Sequence, residues 1–286
     1  MTLKILVTGA LGQLGSDCMR VLSEHHETIA CSHEMLDIGN SSSVQKVLNN
    51  IKPDIIVNCA AFTRVDDCET MVEDAYKINS DGPKYLARFS HQLGAKLIHI
   101  STDYVFDGIR SIPRGYDETD TPNPVSVYGK SKLAGEQAII SETDRFMILR
   151  TAWLFGIGGN NFLKTMYRLA VAEKGSPLKV INTQYGSFTH SLDLAKQIHQ
   201  LIISDGQGIY HASGEGYCTW YDGAKYFFKT IGIQKEIHPC TEKEFPTKAV
   251  RPQNSILNNL QLKNQNINMM PDWQDSLDTF AKLFKK

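Results

Sequence analysis

Three observations predict an α/β fold, a doubly wound parallel sheet carrying a smaller α/β lobe. Strand and helix patterns alternate through the first half of the chain, the strands are apolar throughout, and a glycine-rich turn follows the first strand. Lys4–Thr8 is a short β-branched run ending at Gly9, after which Leu14, Cys18, Val21 and Leu22 share one helical face. Thr28–Cys31 is the second apolar run. Ser41, Ser42 and Ser43 offer N-caps to a helix bearing Val44, Val47 and Leu48. Behind Pro53, residues 54–60 read as a strand covered on both faces, the kind found in parallel sheets. Helical stretches over roughly 67–93 stop at Gly94, Lys96–Ser101 is a fourth strand, and a helix near 126–141 leads to a fifth strand at Arg145–Arg150.

The second half is less regular. Phe162, Met166, Leu169 and Ala170 mark a helix, Leu178–Ile181 a strand, and Leu192, Ala195, Ile198, Leu201 and Ile202 another helix. Trp220–Ile231 is helical in pattern, and a helix opening at Pro271-Asp272 places Trp273, Leu277, Phe280 and Phe284 as core contacts. The expected division is a first domain over 1–150, joined by about 178–203 and 236–258, with 151–177, 204–235 and 259–286 forming the lobe.

Composition removes several classes of function. The 286 residues can bury a large core, and 30 Lys and Arg against 31 Asp and Glu leave a net charge of −1, unlike a nucleic-acid-binding chain. No run of about 18 apolar residues suggests a membrane span. The short apolar start at Leu3–Val7 ends in a glycine turn, unlike a signal peptide, so the cytoplasm is the expected compartment. Six cysteines form no C-x-x-C pair and the histidines no ligand spacing, so no metal is expected.

Gly9-Ala10-Leu11-Gly12-Gln13-Leu14-Gly15 lies between a strand and a helix, where glycines let the backbone touch a pyrophosphate at the helix N-terminus. This predicts dinucleotide binding in a Rossmann-type fold; the alternative is an ordinary glycine-rich turn. Tyr-x-x-x-Lys occurs at Tyr128/Lys132 and at Tyr221/Lys225. At that spacing the two side chains share a helix face, where an ammonium is expected to lower the tyrosine pKa toward neutrality. Only the first pair follows a strand end carrying a hydroxyl, Thr102, which could polarise a substrate oxygen. The second reads as a helix-surface pair.

These segments occur in one order with Asn58-Cys59-Ala60-Ala61-Phe62-Thr63, Ser101–Gly108, Tyr128-Gly129-Lys130-Ser131-Lys132, Arg150-Thr151-Ala152-Trp153, Asn160-Asn161-Phe162 and Arg251-Pro252-x-x-Ser255-x-Leu257. Together they resemble the dTDP-4-dehydrorhamnose reductases of the extended short-chain dehydrogenase/reductase superfamily, over about residues 4–284. The resemblance implies NAD(P)H-dependent reduction of the C4 keto group of a dTDP-4-keto-6-deoxy sugar. Tyr128 would protonate the oxygen, Lys132 would bind the nicotinamide ribose and tune Tyr128, and Thr102 would bond the same oxygen. The implied cofactor cleft comprises Gly9, Leu11, Gly12, Gln13, Leu14, Gly15, Asp37, Ile38, Cys59, Ala60, Ala61 and Thr63. Asp103, Tyr104, Trp153, Asn161 and Arg251 would join Thr102 around the sugar nucleotide, Arg251 being the best cation for the diphosphate. For the last three, the alternatives are a core tryptophan, a helix cap and a surface ion pair. A homodimer is compatible with the family.

Thr183-Gln184-Tyr185-Gly186-Ser187-Phe188-Thr189 departs from the family's Asp-Gln-x-Gly-x-Pro-Thr, and this bears on substrate identity. Related dehydratases place Asp-Glu after the threonine; here Asp103 is followed by Tyr104, which disfavours elimination. A related epimerase or reductase, or a binding protein like the regulatory subunit of methionine adenosyltransferase, is the alternative. The second strand runs into Ser32 and His33 rather than an acid, which predicts preference for NADPH with NADH tolerated.

Overall fold

The computed structural model describes residues 2–172 and 176–285; residues 173–175, within the expected segment 151–177, lie outside it. Five strands form in the expected places: β1 (Lys4–Thr8), β2 (Glu27–Cys31), β3 (Ile55–Asn58), β4 (Lys96–Thr102) and β5 (Phe146–Thr151). With Gly208–His211 as sixth strand they make one parallel sheet in the order sixth–β5–β4–β3–β1–β2. Thr8 stands opposite Asn58, and Asn58 opposite His99, so these polar residues form a row across three strands.

Helices cover both faces of the sheet, as double winding requires. On one side α1 (Gln13–Leu22) packs with the helix Ser191–Ile203 over Val7, Val57 and Leu149. On the other, α2 (Ser41–Ile51) and the helix Gly82–Leu93 cover Leu6, Ile56, Leu97 and Ile148. The cap of α2 is Asn40, whose side chain accepts from Ser43 N at 3.1 Å, one residue before the expected serines. Asn outranks none of its neighbours in capping strength by much, and the extended backbone of Asn40 is what selects it. Gly94 ends the following helix in the left-handed region (φ +69°), as expected.

A second core gathers Phe155, Leu163, Val180, Phe188, Phe227, Leu277 and Phe280. It corrects the expected division. Gly208–His211, expected in the lobe, belongs to the main sheet. Leu178–Ile181 and Ile237–Cys240, expected with the first domain, pair in parallel with each other, and Leu178 and Val180 pack in the second core. Leu262 and Met270, expected in the lobe, pack against the sheet. Periodicity gives each element its apolar face but not the neighbour that covers it, and these segments pair over tens of residues. The terminal helix Trp273–Phe284 packs in the second core as expected.

Candidate active site

A cleft of about 1080 Å³ opens at the carboxyl ends of the strands, between the sheet and the second core. The glycine turn forms its floor. Gly9 has φ +61°, and a side chain there would sit 2.8 Å from Ala60 N. Gly12 caps α1 without a side-chain bond, leaving the helix's first N–H groups facing outward, a fit for an anionic diphosphate. Gly15 does not line the cleft; a Cβ there would meet Gly9 O at 2.1 Å, so it serves helix–strand packing. Leu11, Gln13, Leu14, Ser32, His33, Asp37, Ile38, Cys59, Ala60, Ala61 and Thr63 all line the cleft.

At the far side stand Thr102, Asp103, Tyr104, Tyr128, Lys132, Trp153 and Arg251. Ser126 caps the helix Val127–Glu142 through Gly129 N (3.1 Å), so Tyr128 and Lys132 occupy its first two turns, buried against β4. Thr102, the last residue of β4, donates to Asp103 Oδ1 (2.8 Å) and accepts from Tyr104 N (3.2 Å). Burial pushes the Asp103 carboxyl up to about 6 against the hydrogen bond from Thr102.

The expected lowering of the Tyr128 pKa is not what this structure has. Burial raises it, outweighing the lowering influence of the neighbouring Thr102 hydroxyl, and Asp103 adds to the rise. The Lys132 ammonium is aimed elsewhere: Nζ bonds Ile100 O at 2.6 Å and meets His99 Nε2 at 3.1 Å. Burial also brings Lys132 down to about 8, against the opposing charge of Glu136. Tyr221 and Lys225 line no part of the cleft; Lys225 Nζ lies 5.9 Å from the Tyr221 ring centre on the outer face of the second core.

The substrate-side expectations divide. Trp153 lines the cleft and stacks on Trp220 (3.7 Å between ring centres, 11° between planes), with Nε1 donating to Ser255 Oγ at 3.0 Å. Asn161 is not in the cleft wall: its Oδ1 accepts from Lys164 N (3.1 Å), and its Nδ2 donates to Gln13 Oε1 (3.0 Å). It is the helix cap of the alternative reading, and its neighbour Asn160 lines the cleft instead. Arg251 lines the cleft while pairing with Asp66 at 2.8 Å and donating to Tyr104 Oη at 3.3 Å. In the divergent stretch, Gln184 accepts from Trp220 Nε1 (3.2 Å) and Phe188 packs edge-on against Trp153 and Trp220.

Sequence reasoning missed several supports. Asn79 sits in a π-turn, Lys77–Asp81, and bonds both backbone groups of Phe62 and Ser131 Oγ, pinning the cleft wall at Ala61–Thr63. Glu136 and Arg150, both 2% exposed, form a bidentate pair at 2.7 and 3.0 Å behind Lys132. Lys77 and Asp74 reach the cleft beside the residues after β2. Asn58 and His99 were visible as polar interruptions of apolar strands. Among the described residues no group of three His, Cys, Asp or Glu could hold a metal, and no helix is long and apolar enough to cross a membrane.

The family described as RmlD substrate binding domain matches residues 3–285. The chain belongs to the dTDP-4-dehydrorhamnose reductase family. It is 41% identical to the spore coat polysaccharide biosynthesis protein SpsK of Bacillus subtilis over 98% of this chain and 97% of that protein. To a dTDP-4-dehydrorhamnose reductase of Aggregatibacter actinomycetemcomitans it is 39% identical, over 96% of this chain and 97% of the relative. A crystal structure of the dTDP-4-dehydrorhamnose reductase of Bacillus anthracis in complex with NADP superposes with a TM-score of 0.95 at 39% identity, covering 100% of both chains. Family membership thus agrees with the fold and with the order of motifs along the chain.

Proposed function

We propose that this protein reduces the C4 keto group of a dTDP-4-keto-6-deoxy sugar with NADPH, as its relatives' names indicate for them. The observation that carries the reading is the gathering of Thr102, Tyr128 and Lys132 at one strand edge, in the cleft floored by the glycine turn. When bound, NADPH supplies the hydride. Gly9, Gly12 and the free N–H groups of α1 hold its diphosphate, and Ser32 and His33 take the 2′-phosphate end. Tyr128 gives its phenolic proton to the carbonyl oxygen as that oxygen gains charge. A buried phenol holds its proton until such an acceptor forms, so the raised pKa suits a donor. Thr102 turns its hydroxyl from Asp103 to the same oxygen, a second donor set at the strand end beside Tyr128.

Trp153 offers the sugar an aromatic face, and Arg251, held by Asp66, offers the diphosphate its remaining donors. Asp103 and Tyr104 complete the sugar side. The sheet-side core then serves the cofactor and the second core the sugar nucleotide. The setting is the cytoplasm; a homodimer is the assembly to test by sedimentation. Mixing the protein with dTDP-4-dehydrorhamnose and NADPH should consume the cofactor's absorbance and yield dTDP-L-rhamnose. No consumption by folded protein would sink the proposal.

A further inference from the structure

Behind Lys132 runs a buried polar chain that the reaction, as described, does not use. Thr8 Oγ1 donates to Asn58 Oδ1 at 2.6 Å, and Asn58 Nδ2 lies 2.9 Å from His99 Nδ1. His99 Nε2 lies 3.1 Å from Lys132 Nζ. All four residues are at most 1% exposed. They come from β1, β3, β4 and the helix Val127–Glu142, and the parallel register sets the first three side by side.

Proton bookkeeping along this chain has one consistent direction. Asn58 Oδ1 accepts from the Thr8 hydroxyl and also from Ala60 N–H at 3.2 Å, a backbone donor that cannot reverse. That orients the amide with Nδ2 toward His99, so Nδ1 of the neutral ring accepts and the ring proton sits on Nε2. We propose that Thr8, Asn58 and His99 form a positioning chain for the reaction, with His99 presenting an N–H to the lone pair of the Lys132 amine. The inference rests on the reading of Lys132 as the partner of Tyr128.

The consequence is a lysine primed to release a proton. As an ammonium, Lys132 directs an N–H at Ile100 O and meets the His99 N–H hydrogen against hydrogen. Once Tyr128 has given its proton to the substrate oxygen, a water in the cleft gives a proton to the phenolate as it takes one from Lys132 Nζ, so a phenolic O–H forms and a lysine N–H breaks. The electron pair stays on nitrogen and accepts from His99. The Lys132 proton is restored after product leaves by a hydronium ion from solvent, the one proton that the reduction consumes. Burial and the Lys132 charge hold His99 well below its ordinary pKa, which keeps the ring neutral. The other groups facing Lys132 are Glu136, engaged by Arg150 and Ser101, and the Cys59 thiol.

Two measurements test this. In a two-bond proton–nitrogen spectrum at neutral pH, with the His99 signals assigned by their loss in His99→Gln, the ring should be protonated at Nε2; protonation at Nδ1 overturns the proposal. In kinetics, His99→Leu should lower kcat about tenfold and move the alkaline limb of its pH profile up by about one unit, with the NADPH KM little changed. His99→Gln, whose amide can still donate, should recover most of that loss. An unchanged limb in folded His99→Leu overturns the inference. If Lys132→Met is inactive while His99→Leu is unaltered, the inference alone fails. If Lys132→Met keeps full activity, the reading of Lys132 beneath it fails.

Discussion

The molecule carries the same four-residue Tyr–Lys spacing on two helices, and the two environments share almost nothing. Tyr128 and Lys132 lie buried, with Lys132 held against β4 by Ile100 O and His99. Tyr221 and Lys225 lie on a helix flank of the second core, where the ammonium stands 5.9 Å from the ring centre of the tyrosine. Spacing brings two side chains onto one face. It says nothing about what lies opposite, and the opposite surface is what separates the buried pair in the cleft from the surface contact. In the first helix that surface is the carboxyl end of β4 with its terminal Thr102.

The sharpest way to break this contrast is to remove each phenolic hydroxyl in turn. Tyr128→Phe should lower turnover by about two to four orders of magnitude while cofactor binding persists, because only the proton donor is lost. Tyr221→Phe should leave turnover within about twofold. Steady-state rates and a cofactor titration of both variants check this, and the reverse pattern would move the site to the second helix. The next effect in size belongs to the strand end. Thr102→Ala should cost about 2 to 4 kcal/mol of transition-state stabilisation, the usual loss for one preorganised donor. An unchanged kcat/KM in a folded variant would remove Thr102 from the mechanism.

The same contrast explains what could be read from the chain alone. The glycine turn, the strands of the first half and Tyr128 with Lys132 were legible, because each is a local pattern with a local physical cause. The second core was not, since Trp153 bonds Ser255 and stacks on Trp220 across large separations that no periodicity encodes. Asn161 shows the limit from the other side. Its type and place within the motif suggested a substrate contact, but a side chain ahead of a helix already has backbone donors to satisfy, and it caps Lys164 N. The raised Tyr128 pKa has a related cause: spacing reveals the lysine's charge but not the burial of the phenol, and burial is the larger effect.

Burial also gives the sheet side a pH signature. His99 and His211 are both held neutral, His211 brought down to about 3 from 6.5 by burial and by Arg150. Below the unfolded value the unfolded chain takes up protons at these rings that the folded chain refuses. Stability therefore falls with pH below about 6.5, by up to about 1.4 kcal/mol per unit for each ring. Asp103 opposes this, because its folded carboxyl keeps a proton up to about 6 against an ordinary 3.8, which favours the fold as pH drops between those values. Denaturant titrations at several pH values should show the net loss. His211 Nδ1 donates to Tyr116 O and Asn258 O, both at 3.1 Å, so His211→Asn can keep a donor without titrating. Its slope against pH should be shallower than that of the wild type; an equal slope would assign the acid sensitivity elsewhere.

The smallest expected effect concerns the end of the cleft farthest from either tyrosine. A fold that prefers the unphosphorylated cofactor places an acid just after its second strand to hold the ribose hydroxyl. Here that position follows Cys31 with Ser32 and His33, and both line the cleft together with Lys77. On the proposed reading the hydroxyl and the ring would donate to a 2′-phosphate, and the lysine would add positive potential. Of the two acids in this part of the cleft wall, Asp37 accepts from Gly39 N at 3.0 Å and so is turned to its own loop, and Asp74 lies one helical turn from Lys77. The wild type should therefore prefer NADPH and tolerate NADH. Ser32→Asp should shift the ratio of kcat/KM values toward NADH by about tenfold, since one exposed charge against one phosphate is worth about 1.4 kcal/mol in partly screened surroundings. Because the substitution lies at the adenosine end, kcat at saturating cofactor should stay near the wild-type value. A wild-type advantage of tenfold or more for NADH would overturn the assignment of this pocket, and a fall in kcat with an unchanged ratio would mean that Ser32 supports the fold of the turn rather than reading the phosphate.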